Sequence, residues 1–85
     1  MAQTPSPCID VCKYKLRGHC IGCAMTKMQR DAAERLRDEA DRRAFVRALL
    51  AQQQALGDRF RGWATAYRRK CARAGVACPL DEIAR

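Results

Sequence analysis

The chain has 85 residues, with 17 Lys and Arg against 9 Asp and Glu and a formal charge of +8. A chain this short buries a small share of its surface and often needs a metal or disulfides to hold together. It has no run of about 18 apolar residues to span a membrane, and MAQTPSP lacks the apolar core of a secretory signal. The expected setting is the reducing cytoplasm, where clustered cysteines serve as metal ligands more often than as disulfides. The positive charge favours anionic partners such as nucleic acid, an acidic protein or anionic lipid headgroups, and it also keeps a protein soluble.

In chain order, residues 1–7 hold two prolines and small polar residues and read as a disordered lead-in. Residues 8–24 form a cysteine segment whose Gly18 and Gly22 mark tight turns. Residues 25–75 read as helical. Thr26 with Gln29 fits a capping box, opening a helix over 27–37 with Met28, Ala32 and Leu36 on one face. Asp38 suits the start of a second helix over 39–56, with Phe45, Val46, Leu49, Leu50 and Leu56 at helical spacing. Gly57 and Gly62 predict a break before a third helix over 62–74 striped by Trp63, Ala64, Tyr67 and Cys71, with Gly75 as its stop. The rival is one helix over 39–74, disfavoured because each interior glycine costs about 1 kcal/mol. Residues 76–85 form a tail. The fold class is mainly α, one compact domain with a small N-terminal four-cysteine metal knuckle ahead of two or three helices.

Four of the six cysteines, Cys8, Cys12, Cys20 and Cys23, fall in CIDVCKYKLRGHCIGC with the spacing C-x3-C-x7-C-x2-C. Two close pairs on a connection long enough to fold back suit a tetrahedral four-thiolate site. Gly22 would let its turn tighten until backbone N–H groups point at the sulfurs, offsetting their charge. His19 beside Cys20 reads as an exposed histidine or one that supports a ligand from behind, since four thiolates already fill the tetrahedron. Zinc is the expected metal, with an iron–sulfur cluster as the alternative. Four thiolates on divalent zinc contribute −2, bringing the formal charge from +8 to about +6. Ile9, Val11, Tyr14, Leu16, Ile21 and Met25 read as apolar cover for the site.

Pro7-Cys8-Ile9, Val11-Cys12, Cys20-Ile21-Gly22-Cys23 and a helix opening at Thr26 resemble the bacterial domain-of-unknown-function family 1289 over roughly residues 6–50. Its members are small proteins named as predicted iron–sulfur proteins, with no established activity. The resemblance implies that Cys8, Cys12, Cys20 and Cys23 are the family's four cysteines. Members commonly carry Arg before the Thr, where this chain has Met25.

Cys71 and Cys78 are a possible second thiol pair, with a core hydrophobe and an incidental thiol as the plainer reading. Arg68, Arg69, Lys70 and Arg73 give the third helix a basic edge that could bind anions, interleaved with Trp63 and Tyr67. A solvated helix face with two core aromatics is the favoured reading of that edge. No nucleophile–base pair and no phosphate-cradling loop is present, and a closed four-thiolate sphere leaves no position for substrate. The expected function is therefore a non-enzymatic metal-binding module that meets a protein partner. The alternatives are an iron–sulfur protein for electron transfer or redox sensing, and a nucleic-acid-associated regulator.

Overall fold

The first helix begins with a reciprocal exchange. The Thr26 hydroxyl accepts the Gln29 N–H at 3.2 Å, and the Gln29 side-chain oxygen accepts the Thr26 N–H at 2.9 Å. Both donors would otherwise be open at a helix start. In the computed structural model, which describes residues 3–11, 13–57 and 60–83, this helix is α1, Lys27–Arg35. It stops short of residue 37 because Leu36 turns to extended backbone, and the Leu36 carbonyl instead accepts Arg42 Nε–H at 2.9 Å. The inward face also differs from the expected one. Met28 is 83 % exposed and Ala32 lies outside, while Ala33 is buried. Gln29 sets this rotation, since its amide pairs with that of Gln52 on the next helix.

Helix α2, Glu39–Leu56, starts on Asp38, whose carboxylate accepts the Ala40 N–H at 2.9 Å. Glu39 and Asp41 add negative charge at the positive end of the helix dipole. It ends at Gly57, where φ is 111°, a conformation that favours glycine. Helix α3, Arg61–Ala74, follows, so the segment 39–74 is two helices. Helix α3 ends where Gly75 and Val76 send their N–H groups back to Ala72 and Cys71 at 3.1 Å each, the double return that satisfies helix-end carbonyls. The tail then forms α4, Pro79–Ile83, which opens on a proline whose missing N–H is not needed there and returns against α2.

Between these helices Val46 and Leu49 meet Phe60, Trp63, Tyr67, Cys71 and Leu80, and the core continues into Cys20, Cys23 and Met25. Trp63 and Tyr67 stack with ring centroids 5.1 Å apart and planes 7° from parallel. Burying rings of this size is worth on the order of 4–6 kcal/mol apiece as an upper bound. They therefore dominate the docking of α3.

The amino-terminal arm departs from the lead-in expected over 1–7. Met1 and Ala2 lie outside the described residues, but Thr4 is fully buried and Pro7 is buried. The arm forms no helix or strand, and its backbone polar groups are met by side chains. Glu39 accepts the Thr4 N–H at 2.8 Å, and Arg42 donates to the Thr4 carbonyl at 2.9 Å. Tyr67 Oη–H donates to the Pro5 carbonyl and Trp63 Nε1–H to the Pro7 carbonyl, both at 2.8 Å. Lys70 Nζ reaches the Ser6 and Cys8 carbonyls at 2.9 and 2.7 Å. Pro5 and Pro7 bring acceptors but no N–H donors. An arm of this composition cannot pair as a strand yet suits a helix face that offers donors.

The hydrogen bond from Thr4 holds the Glu39 carboxyl below the usual glutamate range, with Arg43 and Arg42 adding to the effect. A carboxylate depressed in the folded state stabilises the fold above its unfolded pKa, near 4.3, and that contribution disappears as pH falls through the lower folded value. Glu39→Gln should therefore flatten the acid side of a melting-temperature profile recorded from pH 6 to pH 3. An unchanged slope would show that the arm contact is not thermodynamically coupled to folding.

Candidate metal centre

The connection between the cysteine pairs makes a tight reversal. Leu16 and His19 exchange backbone hydrogen bonds at 3.1 and 2.9 Å. Between them Arg17 and Gly18 take φ values of 51° and 82°. Two consecutive positive φ values make the tight reversal that suits a twisted hairpin. The His19 ring braces it, since its Nδ1 lies 3.0 Å from the Leu16 carbonyl, which can only accept. Ile21 N–H then bonds to the Lys13 carbonyl at 2.9 Å, laying the residue after Cys20 beside Lys13.

Residues 20–25 close on themselves. Cys20 N–H meets the Met25 carbonyl at 2.7 Å, and Ala24 N–H meets the Cys20 carbonyl at 2.8 Å, with Ala24 at φ 70°. The amides enclosed by this turn face sulfur. Gly22 N–H donates to Cys20 Sγ at 3.4 Å, joined by the amides of Cys23 and Lys13. The Met25 amide donates to Cys23. In the first pair, Asp10 N–H donates to Cys8 Sγ at 3.4 Å, from a residue at φ 64°. So each of Cys8, Cys20 and Cys23 receives an amide from two residues further on. Such donors stabilise a thiolate more than a thiol.

The electrostatics follow from this geometry. Burial pushes the Cys20 thiol up, but the amides of Gly22, Cys23 and Lys13 outweigh it and bring its pKa below the ordinary thiol value. Cys23 is pushed up to about 12, first by burial and then by the charge of Cys20 and Cys8, against the Met25 amide. One thiolate is thus welcome, and the second is opposed by the first. A cation between the sulfurs would remove that opposition, because metal ligation deprotonates thiols outright. Cys12, the remaining predicted ligand, lies outside the described residues. Among the described residues, no three His, Cys, Asp or Glu side chains stand close enough to hold a metal ion. The donor chemistry of Cys8, Cys20 and Cys23 suits a thiophilic metal, but their described placement does not assemble a site for one.

Gly22 has a use beyond the one expected of it. A Cβ built there would meet the side chain of Val11 at 2.8 Å, a distance that forces movement in one of the two chains. Glycine lets the second knuckle approach the segment that carries the first pair. Gly22→Ala is expected to destabilise the protein by about 1–3 kcal/mol, as overpacking does, with a matching fall in metal content. Thermal melting with elemental analysis measures both, and a fully metallated, normally stable variant would show that the contact is slack.

Two residues of α2 that the sequence pattern does not single out hold the turn at Cys23 and Ala24. Gln53, 4 % exposed, donates from Nε2 to the Cys23 carbonyl at 3.0 Å, and Gln52 donates to the Ala24 carbonyl at 2.7 Å. A buried glutamine at an inward helix position is the signal that could have marked them, because such an amide needs a partner.

Cys71 and Cys78 do come together, in the core beside Tyr67. Burial and the neighbouring Cys78 thiol push Cys71 up to about 11. Burial also raises the Tyr67 phenol. Both thiols are free and buried. Arg68 leaves the predicted basic edge, because it pairs with Asp81 of α4. Trp63 and Tyr67 are buried and offer no face to a base.

A protein-family model described as protein of unknown function (DUF1289) matches residues 6–53. No curated protein and no solved structure matches the chain.

Proposed function

We propose, for a chain that belongs to the DUF1289 family of proteins of unknown function, a small non-enzymatic metal-binding protein of a reducing compartment. Cys8, Cys12, Cys20 and Cys23 hold one structural zinc ion. The observation that carries this reading is the set of backbone amides two residues beyond Cys8, Cys20 and Cys23, each donating to sulfur. A chain stabilised only by thiol packing has no use for three such donors, whereas a four-thiolate zinc site carries a −2 charge that they offset. Zinc supplies a closed, redox-inert crosslink between the two knuckles. The protein's own residues do the rest: amides neutralise sulfur charge, Gln52 and Gln53 hold the second knuckle on α2, and Lys70 holds the backbone of Cys8. Ile21, 45 % exposed on the knuckle, and Met28 at the start of α1 offer apolar contact to a protein partner.

The second reading is an iron–sulfur cluster on the same four cysteines, serving electron transfer or redox sensing. Amides directed at sulfur also favour it, because they tune cluster potentials. Elemental analysis of anaerobically purified protein separates the two. One zinc per chain in a colourless preparation supports the structural site. Iron and sulfide in a brown preparation absorbing near about 400 nm would replace zinc with the cluster. Absence of both metals would remove either reading.

A further inference from the structure

Arg69, Lys70 and Arg73 share one side of α3, and together they line a cleft of about 480 Å³ between that helix and the amino-terminal arm. Pro5 and Ile9 give it an apolar wall, and Asp10 is the one carboxylate among its described lining residues. Arg69 and Arg73 are exposed and, among the described residues, in no ion pair, in contrast to Arg68 with its Asp81 partner. Lys70 spends its hydrogen bonds on two neutral carbonyls, so its charge is oriented but not cancelled. Three cations against one carboxylate within two helical turns repel one another. The fold gains nothing from that repulsion, whereas a bound anion would relieve it.

We propose that this cleft binds a nucleoside phosphate unit. The phosphate lies on Arg69 and Arg73 with the charge of Lys70 behind it, since guanidinium groups suit phosphate oxygens bidentately. The base or sugar lies against Pro5 and Ile9, and Asp10 accepts a hydrogen bond from a ribose hydroxyl or a base amine. The volume falls within the range of about 300–1,000 Å³ usual for small-molecule sites, more than a bare phosphate requires. The cleft adjoins the first cysteine segment, since Ile9 and Asp10 follow Cys8 and Lys70 holds the Cys8 carbonyl, and it does not use the buried aromatics.

A free nucleotide and a single-stranded nucleic acid both present this unit. Fluorescence anisotropy at about 0.15 M salt, where surface charge is screened beyond about 8 Å, with labelled adenosine triphosphate and a labelled single-stranded oligonucleotide tells them apart. Arg69→Gln/Arg73→Gln is compared with Arg47→Gln/Arg68→Gln, which removes the same charge outside the cleft. The first pair should weaken binding by about 10-fold or more, and the control by less than about 2-fold. Asp10→Ala should reduce the preference for adenosine triphosphate over inorganic triphosphate. Tight binding of the mononucleotide identifies a free nucleotide as the source, and binding of the oligonucleotide alone identifies a nucleic-acid strand. Equal losses in both double variants, or no binding of either probe, would overturn the site. All four substituted arginines are solvent-facing, and circular dichroism melts verify that each variant is folded.

Discussion

Cys20→Ser is expected to empty the metal site and to lower the melting temperature of the helices in the same step. Cys20 receives amide donors from Gly22, Cys23 and Lys13, and serine keeps its size while removing the thiolate. Apparent zinc-binding free energies of structural sites reach about 10–16 kcal/mol. Whole small domains are stable by only about 5–15 kcal/mol. Loss of the metal should therefore leave a largely unfolded chain at room temperature, not a slightly weakened one. Elemental analysis and far-ultraviolet circular dichroism on the same sample give both readouts. Cys71→Ala serves as the control: its thiol is buried beside Cys78 and Tyr67 and not in the knuckle, so it should lose stability while keeping its metal. A chelator-treated protein that melts as before would refute a structural role for the site.

Trp63→Ala carries the second large effect, a loss of about 3–5 kcal/mol from the cavity and the lost burial. Trp63 does more than fill the core, because its Nε1–H holds the Pro7 carbonyl at 2.8 Å, and Pro7 precedes Cys8. The metal should therefore be held less tightly as well. Trp63→Phe separates the two contributions. It keeps most of the apolar ring and leaves a buried carbonyl without its donor, at about 1–3 kcal/mol. For a chain of this length each kcal/mol lowers the melting temperature by roughly 4–8 °C. Competition with a chelator, run on both variants, measures metal affinity directly. If Trp63→Ala lowers stability and leaves affinity untouched, the arm does not transmit the state of α3 to Cys8.

This connection changes how the family match reads. The match spans residues 6–53, which holds all four cysteines of the knuckle and both of its glutamine supports. Trp63, Tyr67 and Lys70, which hold the carbonyls of residues 5–8, lie beyond it. In this chain the backbone leading into Cys8 is held by a helix outside the matched region.

The starts of α1 and α2 were legible because Thr26 with Gln29, and Asp38 with Ala40, act within three residues of one another. The end of α2 was legible for the same reason, since Gly57 meets a local backbone demand. The face of α1 was not. Spacing pointed to Met28, Ala32 and Leu36, and the amide of Gln29 turned the helix toward Gln52 instead. The contacts of residues 3–8 were not legible, because prolines and small polar residues carry no local pattern that names a distant partner.

The sequence by itself determined the helical class, the starts of α1 and α2, and the glycine ends of α2 and α3. Each of these depends on interactions between near neighbours in the chain. The tertiary structure decided the order of the amino-terminal arm, the glutamine supports of the knuckle and the basic cleft. Their partners are far apart in sequence, as Lys70 is from Cys8 and Tyr67 from Pro5. No local pattern encodes such pairs; they exist only once the burial of Trp63 and Tyr67 has brought α3 against the arm.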